Sequence, residues 1–186
     1  SLFETGIAFV VQQAAVAMAT GEAPQPLGSA HPASAPYQAF AGSDGWFTIG
    51  ASMAAIWPRF CRAIAWPELE HDPRFAGSGD RYRNLADLQA ALAPVFARRT
   101  VAEWLAIFAD ADVPAGPVAS IPEMLADPQV AARGMLVDLD HPTAGAMQAL
   151  GPAMKLAETP AAVRRPAPTL GQYTAEVLGE IGYSPD

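Results

Sequence analysis

The chain has almost no cysteine: Cys61 is the single one in 186 residues, so no disulfide can form within it. That fits a reducing, cytoplasmic setting. Positive charge is also scarce. Eleven Lys and Arg stand against 19 Asp and Glu, giving a net charge of −8. Such a balance argues against nucleic acid or an anionic membrane as a partner. It does not argue against a phosphate-bearing ligand, which needs only a local basic site. The three histidines, His31, His71 and His141, lack ligand spacing with the lone cysteine, so no metal site is expected. There is no Gly-rich phosphate loop, because Gly42 and Gly45 sit in a turn signal without a surrounding strand-loop-helix pattern. The longest apolar run, GIAFVVQQAAVAMA at 6–19, is short for a membrane span and is interrupted by Gln12-Gln13. It also lacks the basic start of a signal peptide.

What the chain does have is proline and glycine, 18 and 15 residues, within a composition that is 51% hydrophobic. Many short elements joined by rigid turns are expected. Leu2 to Thr20 reads as one helix of roughly 28 Å, stopped by Gly21, with no room for a cap ahead of it and apolar on most sides. A helix of that kind needs burial. Residues 22–36 form a Pro/Ala-rich linker that carries the chain away from it. Tyr37-Gln38-Ala39-Phe40-Ala41 alternates as a strand. Gly42 to Gly45 supplies turn chemistry, and Trp46-Phe47-Thr48-Ile49 returns as the second strand of a hairpin. Ser52 is a candidate cap for a helix bearing Met53, Ile56, Trp57, Phe60 and Ile64, with Pro58 breaking or kinking its first turn. Asn84 is placed to cap a helix from Leu85 to Arg98, bent at Pro94. Thr100 with Glu103, and Ser120 with Glu123, are capping boxes. Asp127-Pro128 starts a short helix that Gly134 stops. A strand is expected around Val118. Leu136 to Leu139 and Met147 to Leu150 suggest a second hairpin. Residues 159–170 are another linker, and Gly171 to Glu180 a last amphipathic helix. The organisation expected is therefore a helix at 1–21, a linker at 22–36, an α+β block at 37–158, a return linker at 159–170 and a terminal helix at 171–186.

The chemistry-bearing candidates concentrate in Gly28 to Tyr37. Pro32 and Pro36 remove backbone donors and push their neighbours to extended conformations. The loop feeds a hairpin, so it presents His31, Ser34 and Tyr37 from a fixed base. These three are the candidate substrate-binding residues. Ser34 with His31 lacks an orienting carboxylate and is not read as a triad. Asp72-Pro73-Arg74-Phe75 reads as a turn with Phe75 buried and Arg74 paired to a carboxylate. Trp46, Trp57, Trp66 and Trp104 read as core. No residue of this chain is assigned as catalytic.

HPASAPYQAF (31–40) followed by DGWFTIG (44–50) resembles the class III CoA-transferase family, also called CaiB/BaiF. The resemblance continues in order through DPRF (72–75), Arg81 with Asn84, RRTVAEW (98–104), VPAGPV (113–118) and PTLGQYTAEVLGEIGYS (168–184). It covers nearly the whole chain and matches the C-terminal half of such an enzyme. It implies a small α+β domain flanked by helices of a doubly wound α/β large domain, in an interlocked dimer. It implies acyl-CoA and a carboxylic acid acceptor as substrates, with coenzyme A as the carried group and no metal. The family's transferases use an aspartate that attacks the acyl-CoA and passes through anhydride and enzyme-CoA thioester stages; its racemases use a His and an Asp. Both sets lie in the family's N-terminal half, so this chain alone is expected to be inactive, with a homodimer or that half as its partner. The alternatives are a 2-methylacyl-CoA racemase and a non-catalytic dimerisation or partner module. The loop matching Gly28 to Tyr37 is a glycine-rich flap in the family's transferases; here Ala30, Ala33 and Ala35 stand where the glycine run would be.

Overall fold

The apolar N-terminal stretch does not form the single helix expected. In the computed structural model, which describes residues 1–184, it forms α1 (Leu2–Phe9) and α2 (Val11–Thr20), bent by 66°. The break is at Val10. Its N–H bonds the Ile7 carbonyl, three residues back, and its own carbonyl starts a fresh ladder by accepting from Ala14. Two adjacent β-branched residues, Val10 and Val11, tolerate a helix poorly. Neither helix buries a residue, so no packing holds the stretch straight. Ser1 does cap α1, in a capping box with Glu4, contrary to the expectation of no cap. Gly21 ends α2 in the left-handed region, as its position implies. Among the described residues no single helix is long and apolar enough to cross a membrane; the bent pair meets length and composition only when taken together.

The first hairpin forms as the alternation predicts. β1 (Tyr37–Ala41) and β2 (Trp46–Gly50) pair antiparallel, with Tyr37 opposite Gly50 and Ala41 opposite Trp46. Gln38 and Phe40 turn inward, as do Phe47 and Ile49. Pro58 cannot donate, so it occupies the first turn of a helix rather than its middle. The helix therefore starts late, as α3 (Trp57–Ala63), and Ser52 is not its cap. A short helix the pattern did not reveal, α4 (Ser78–Arg83), precedes α5 (Leu85–Phe96). Asn84 lies between them but gives α5 no side-chain cap; its amide donates to Arg74 and Asp80 carbonyls instead. α5 ends at Phe96, not Arg98. α6 (Val101–Asp110) has the Thr100–Glu103 capping box. Asp44 from the hairpin turn also accepts from Val101 N–H at 2.7 Å, tying the turn to the start of α6. β3 (Ala115–Pro117) completes a sheet of order β1-β2-β3, slightly before the strand expected at Val118.

These elements form one contact unit, Ser1–Val118. Its core is aromatic and centres on Phe96. The Phe96 ring meets Phe40 and Phe47 edge-on at 4.9 and 5.2 Å, and Trp104 at 5.4 Å. Trp104 donates its indole N–H to the Phe96 carbonyl at 2.9 Å, which satisfies the one polar atom it buries. Phe60, Phe75, Leu88, Leu92 and Phe108 complete the interior without exposure.

The second unit is Ala119–Asp186. It holds α7 (Ile121–Ala126) with the Ser120–Glu123 capping box, and α8 (Pro128–Ala132) capped by Asp127. The second hairpin is longer than expected: β4 (Leu136–His141) pairs with β5 (Gly145–Leu150). α9 (Thr174–Glu180) begins three residues after Gly171, whose positive φ keeps it out of the helix. The end of the expected terminal segment, 185–186, lies outside the described residues. Among the described residues all buried hydrophobic ones lie between Ala35 and Val113. The expected α+β block at 37–158 therefore has its core in its first two-thirds only.

Candidate functional site

The 28–37 loop runs back along the outer edge of β1. Ser29 Oγ accepts from Ala39 N–H at 3.1 Å, and His31 N–H donates to the Tyr37 carbonyl at 2.9 Å. Both strand groups would otherwise be open edge groups of the sheet. The Pro36 carbonyl accepts from Ala51 N–H at 2.9 Å. The Ala35–Pro36 peptide is cis, and both residues are buried. The loop is thus closed on itself at 31 and 37 and sewn to the strand beneath it. At its apex Ala33 is exposed and Ser34 half-buried.

This closure brings His31 and Tyr37 together. Their rings meet edge-on, 5.1 Å between centroids. His31 Nδ1 accepts from Ala33 N–H at 3.1 Å. A neutral imidazole has one acceptor nitrogen, so its proton then sits on Nε2. Nε2 lies 3.3 Å from the Gln12 side-chain amide of α2. An Nε2–H requires the amide oxygen as partner, and amide orientation is an assignment that the network decides. Ser34 joins neither His31 nor Tyr37: no side-chain hydrogen bond to it is found among the described residues.

Tyr37 lies half-exposed over the sheet and walls a groove of about 430 Å³. The floor is made of small residues, Ala39, Thr48, Gly50 and Gly116, with Ser29 and Pro114 at the rim. Thr48 donates its hydroxyl to the Gly116 carbonyl at 3.2 Å, so the floor's polar atom is already partnered. Gly50 matters here for its missing side chain. A Cβ there would fall 2.9 Å from the Tyr37 ring.

Beneath the loop lies a residue that the sequence reading noted only as part of a resemblance. Arg81 is 1% exposed. Its Nε donates to the Ala35 carbonyl at 2.8 Å, Nη2 to Ser52 at 2.8 Å, and Nη1 to Phe75 at 2.9 Å and Ala76 at 3.2 Å. Its guanidinium stacks 4.4 Å over the Trp57 ring. No carboxylate pairs with it among the described residues. Burial pulls its pKa below the ordinary arginine value. No local signal in SGDRYRN distinguishes Arg81 from Arg83, which pairs with Asp80 at the surface.

Most other candidates take the plain roles expected, but of the four tryptophans read as core only Trp57 and Trp104 are buried: Trp66 packs at its edge, and Trp46, at the end of β2 beside the hairpin turn, is 57% exposed. Phe75 is buried, and Arg74 binds Asp72 at 2.8 Å, which holds that carboxyl below its usual range. His71, itself exposed, ends a 3-10 turn whose Leu69 is buried. His141 accepts from Thr143 and Ala144 N–H groups in the second hairpin's turn. Cys61 is buried, and burial with the nearby Glu70 charge pushes its thiol up to about 12, so it carries no thiolate at neutral pH. Among the described residues no cluster of His, Cys, Asp and Glu is placed to hold a metal ion.

The sequence model of one family, CoA-transferase family III, matches residues 1–174. The chain belongs to that family. An acyl-CoA transferase of Fusarium pseudograminearum is 35% identical over 184 residues, covering 98% of this chain and 40% of that protein. Mouse succinyl-CoA:glutarate CoA-transferase is 30% identical over 97% of this chain and 42% of its own length. Acetyl-CoA:oxalate CoA-transferase of Acetobacter aceti is 36% identical over 74% of this chain and 35% of its own. The chain thus spans about two-fifths of the curated relatives it matches. A solved CaiB/BaiF family protein from Brucella suis superposes with a TM-score of 0.75 at 30% identity, over 92% of this chain and 44% of that one. A hypothetical protein from Mycobacterium tuberculosis has the same fold over 95% of this chain and 45% of its own, with a TM-score of 0.75 at 23% identity. The CoA-transferase resemblance read from the ordered motifs is therefore correct, and the helices-plus-small-sheet architecture is the family's.

Proposed function

We propose that the chain is the C-terminal part of an acyl-CoA:carboxylate CoA-transferase, and that its 28–37 loop contacts the acyl end of the substrate. The names of the curated relatives, all CoA-transferases, support a transferase. In this reading an aspartate outside the chain attacks the acyl carbon and expels CoA thiolate. The thiolate then attacks the aspartyl carbon of the mixed anhydride, releasing the first carboxylate and leaving an aspartyl-CoA thioester. The acceptor carboxylate reverses both steps. α1, α2 and α9 belong to a large doubly wound domain, and two copies interlock. The exposure of Phe3, Phe9 and Met18, each about four-fifths exposed, supports a partner for these helices.

The observation that carries the loop's role is the state of His31. The Ala33 N–H on Nδ1 leaves Nε2–H as the ring's one donor, now directed at the Gln12 amide that substrate would displace, and the ring stands against Tyr37, which lines the groove. A neutral N–H donor suits a thioester or carboxylate oxygen. Ser34, at the apex, and Tyr37, on the groove wall, complete the contact. In the complete transferase His31→Ala should lower kcat/KM by about tenfold, roughly 1.4 kcal/mol of transition-state stabilisation, with Tm nearly unchanged. The chain alone should show no acyl-CoA exchange in the same assay. Unchanged kcat/KM in His31→Ala would make His31 a surface imidazole and overturn the assignment.

A further inference from the structure

We propose that Arg81 is the positioning residue of the 28–37 loop. The guanidinium is the only side-chain donor to the loop's buried end, through Nε to the Ala35 carbonyl, among the described residues. Its other N–H groups reach Ser52, just after β2, and Phe75 and Ala76, just before α4. One rigid fork therefore fixes three chain segments relative to one another. The loop has few alternatives. Pro32 and Pro36 supply no N–H, so the carbonyls of Ala35 and Pro36 are buried acceptors without local donors. Ala51 N–H serves the second, and Arg81 the first.

The chemistry is that of arginine and not of charge alone. Its donors lie in one plane and point in fixed directions. Lysine in the same place has a point charge on a flexible stem and no donor at the Nε position. Trp57 fits this picture. Its indole N–H is buried without an acceptor, so the residue serves through its ring face, on which the guanidinium lies. The absence of a carboxylate partner is consistent too: a carboxylate would compete for the same N–H groups that hold the loop.

The consequence for catalysis rests on the loop contacting substrate, but the positioning role is readable without any substrate. Amide exchange on this chain, in wild type, Arg81→Lys and Ser29→Ala, separates the two. His31 N–H and Ala51 N–H report the loop, bonded to Tyr37 and Pro36 carbonyls; Val113 N–H and Phe60 N–H report the core, bonded to Phe108 and Ile56 carbonyls. In Arg81→Lys the two loop amides should accelerate about tenfold more than the two core amides, through local opening. In Ser29→Ala they should stay protected, because Arg81 still holds Ala35. Equal acceleration of loop and core in Arg81→Lys makes Arg81 an ordinary core residue and overturns the proposal. So does loss of loop protection in Ser29→Ala. Should Arg81→Lys fail to fold, the Ser29→Ala result alone decides in the same sense. A loop freed by Arg81→Lys with His31→Ala kinetics unchanged would sink the substrate reading and leave the positioning intact.

Discussion

Gly50→Ala tests whether the groove depends on a missing side chain. The added Cβ would sit 2.9 Å from Cε2 and 3.0 Å from Cδ2 of Tyr37. Comfortable carbon–carbon contact is about 3.5–4.0 Å, so something must yield by roughly 0.5–1 Å. The strand is the stiffer party. Gly50 N–H is bonded to the Pro114 carbonyl at 2.9 Å, and its register against Tyr37 closes the hairpin. The Tyr37 ring is 50% exposed and free to swing. Its movement breaks the edge contact with His31, the kind of aromatic pair that contributes about 0.5–1.5 kcal/mol. Alanine offsets part of that loss by about 0.4–1 kcal/mol, because it restricts the unfolded chain. Net stability should therefore change by less than about 1 kcal/mol, while the ring leaves its place. Urea unfolding measures the first, and the NMR shifts of the His31 ring protons, which sit against Tyr37, measure the second. In the complete transferase kcat/KM should fall several-fold. Unmoved His31 shifts would refute the argument that the ring yields, and a loss above about 2 kcal/mol would show that the strand yields instead.

Phe96→Ala should cost about 3–5 kcal/mol in urea unfolding, since Phe96 is unexposed and meets Phe40, Phe47 and Trp104 edge-on; a loss below about 1.5 kcal/mol would mean that the aromatic cluster repacks around the gap. Light scattering on the isolated chain should show a dimer or larger. Phe9→Glu with Val10→Glu should shift it toward monomer with circular dichroism retained, whereas a monomeric wild-type chain would remove the need for a partner on α1 and α2.

The parts of the fold legible in the sequence are those with short-range causes. Two capping boxes, at Thr100 and Ser120, appear as read because each is an exchange between residues three apart. The hairpins appear because strand alternation and turn residues agree over a dozen positions. At Pro58, where the sequence predicts a break or a kink, the outcome is the break: proline's penalty vanishes in a first turn, so the helix starts beside it. The break at Val10 was not legible. A run of apolar residues fixes neither straightness nor direction when no second surface packs against it. In the loop, a pinned presentation of His31, Ser34 and Tyr37 is legible, but the pairing of His31 with Tyr37 is not, because its hydrogen-bond basis, two backbone groups on the open side of β1, depends on which edge the chain returns along.

The buried arginine was invisible for a related reason, and that reason makes it intelligible afterwards. A proline-rich loop has more carbonyls than N–H groups. While the loop stays in water this is harmless. Once its end is buried, as Ala35 and Pro36 are, each surplus carbonyl needs a donor from elsewhere in the fold. A neutral side chain brings one or two donors; arginine brings five on a long stem. Four contacts to backbone oxygens, three of them at 2.8 to 2.9 Å, then offset the cost of burying its charge without a carboxylate. Pro32 and Pro36 thus create the demand that Arg81 meets 46 residues downstream of Ala35. The demand is written in the loop. Which arginine meets it is decided by α4, and only the folded chain shows that Arg81 turns inward while Arg83 turns to Asp80 at the surface.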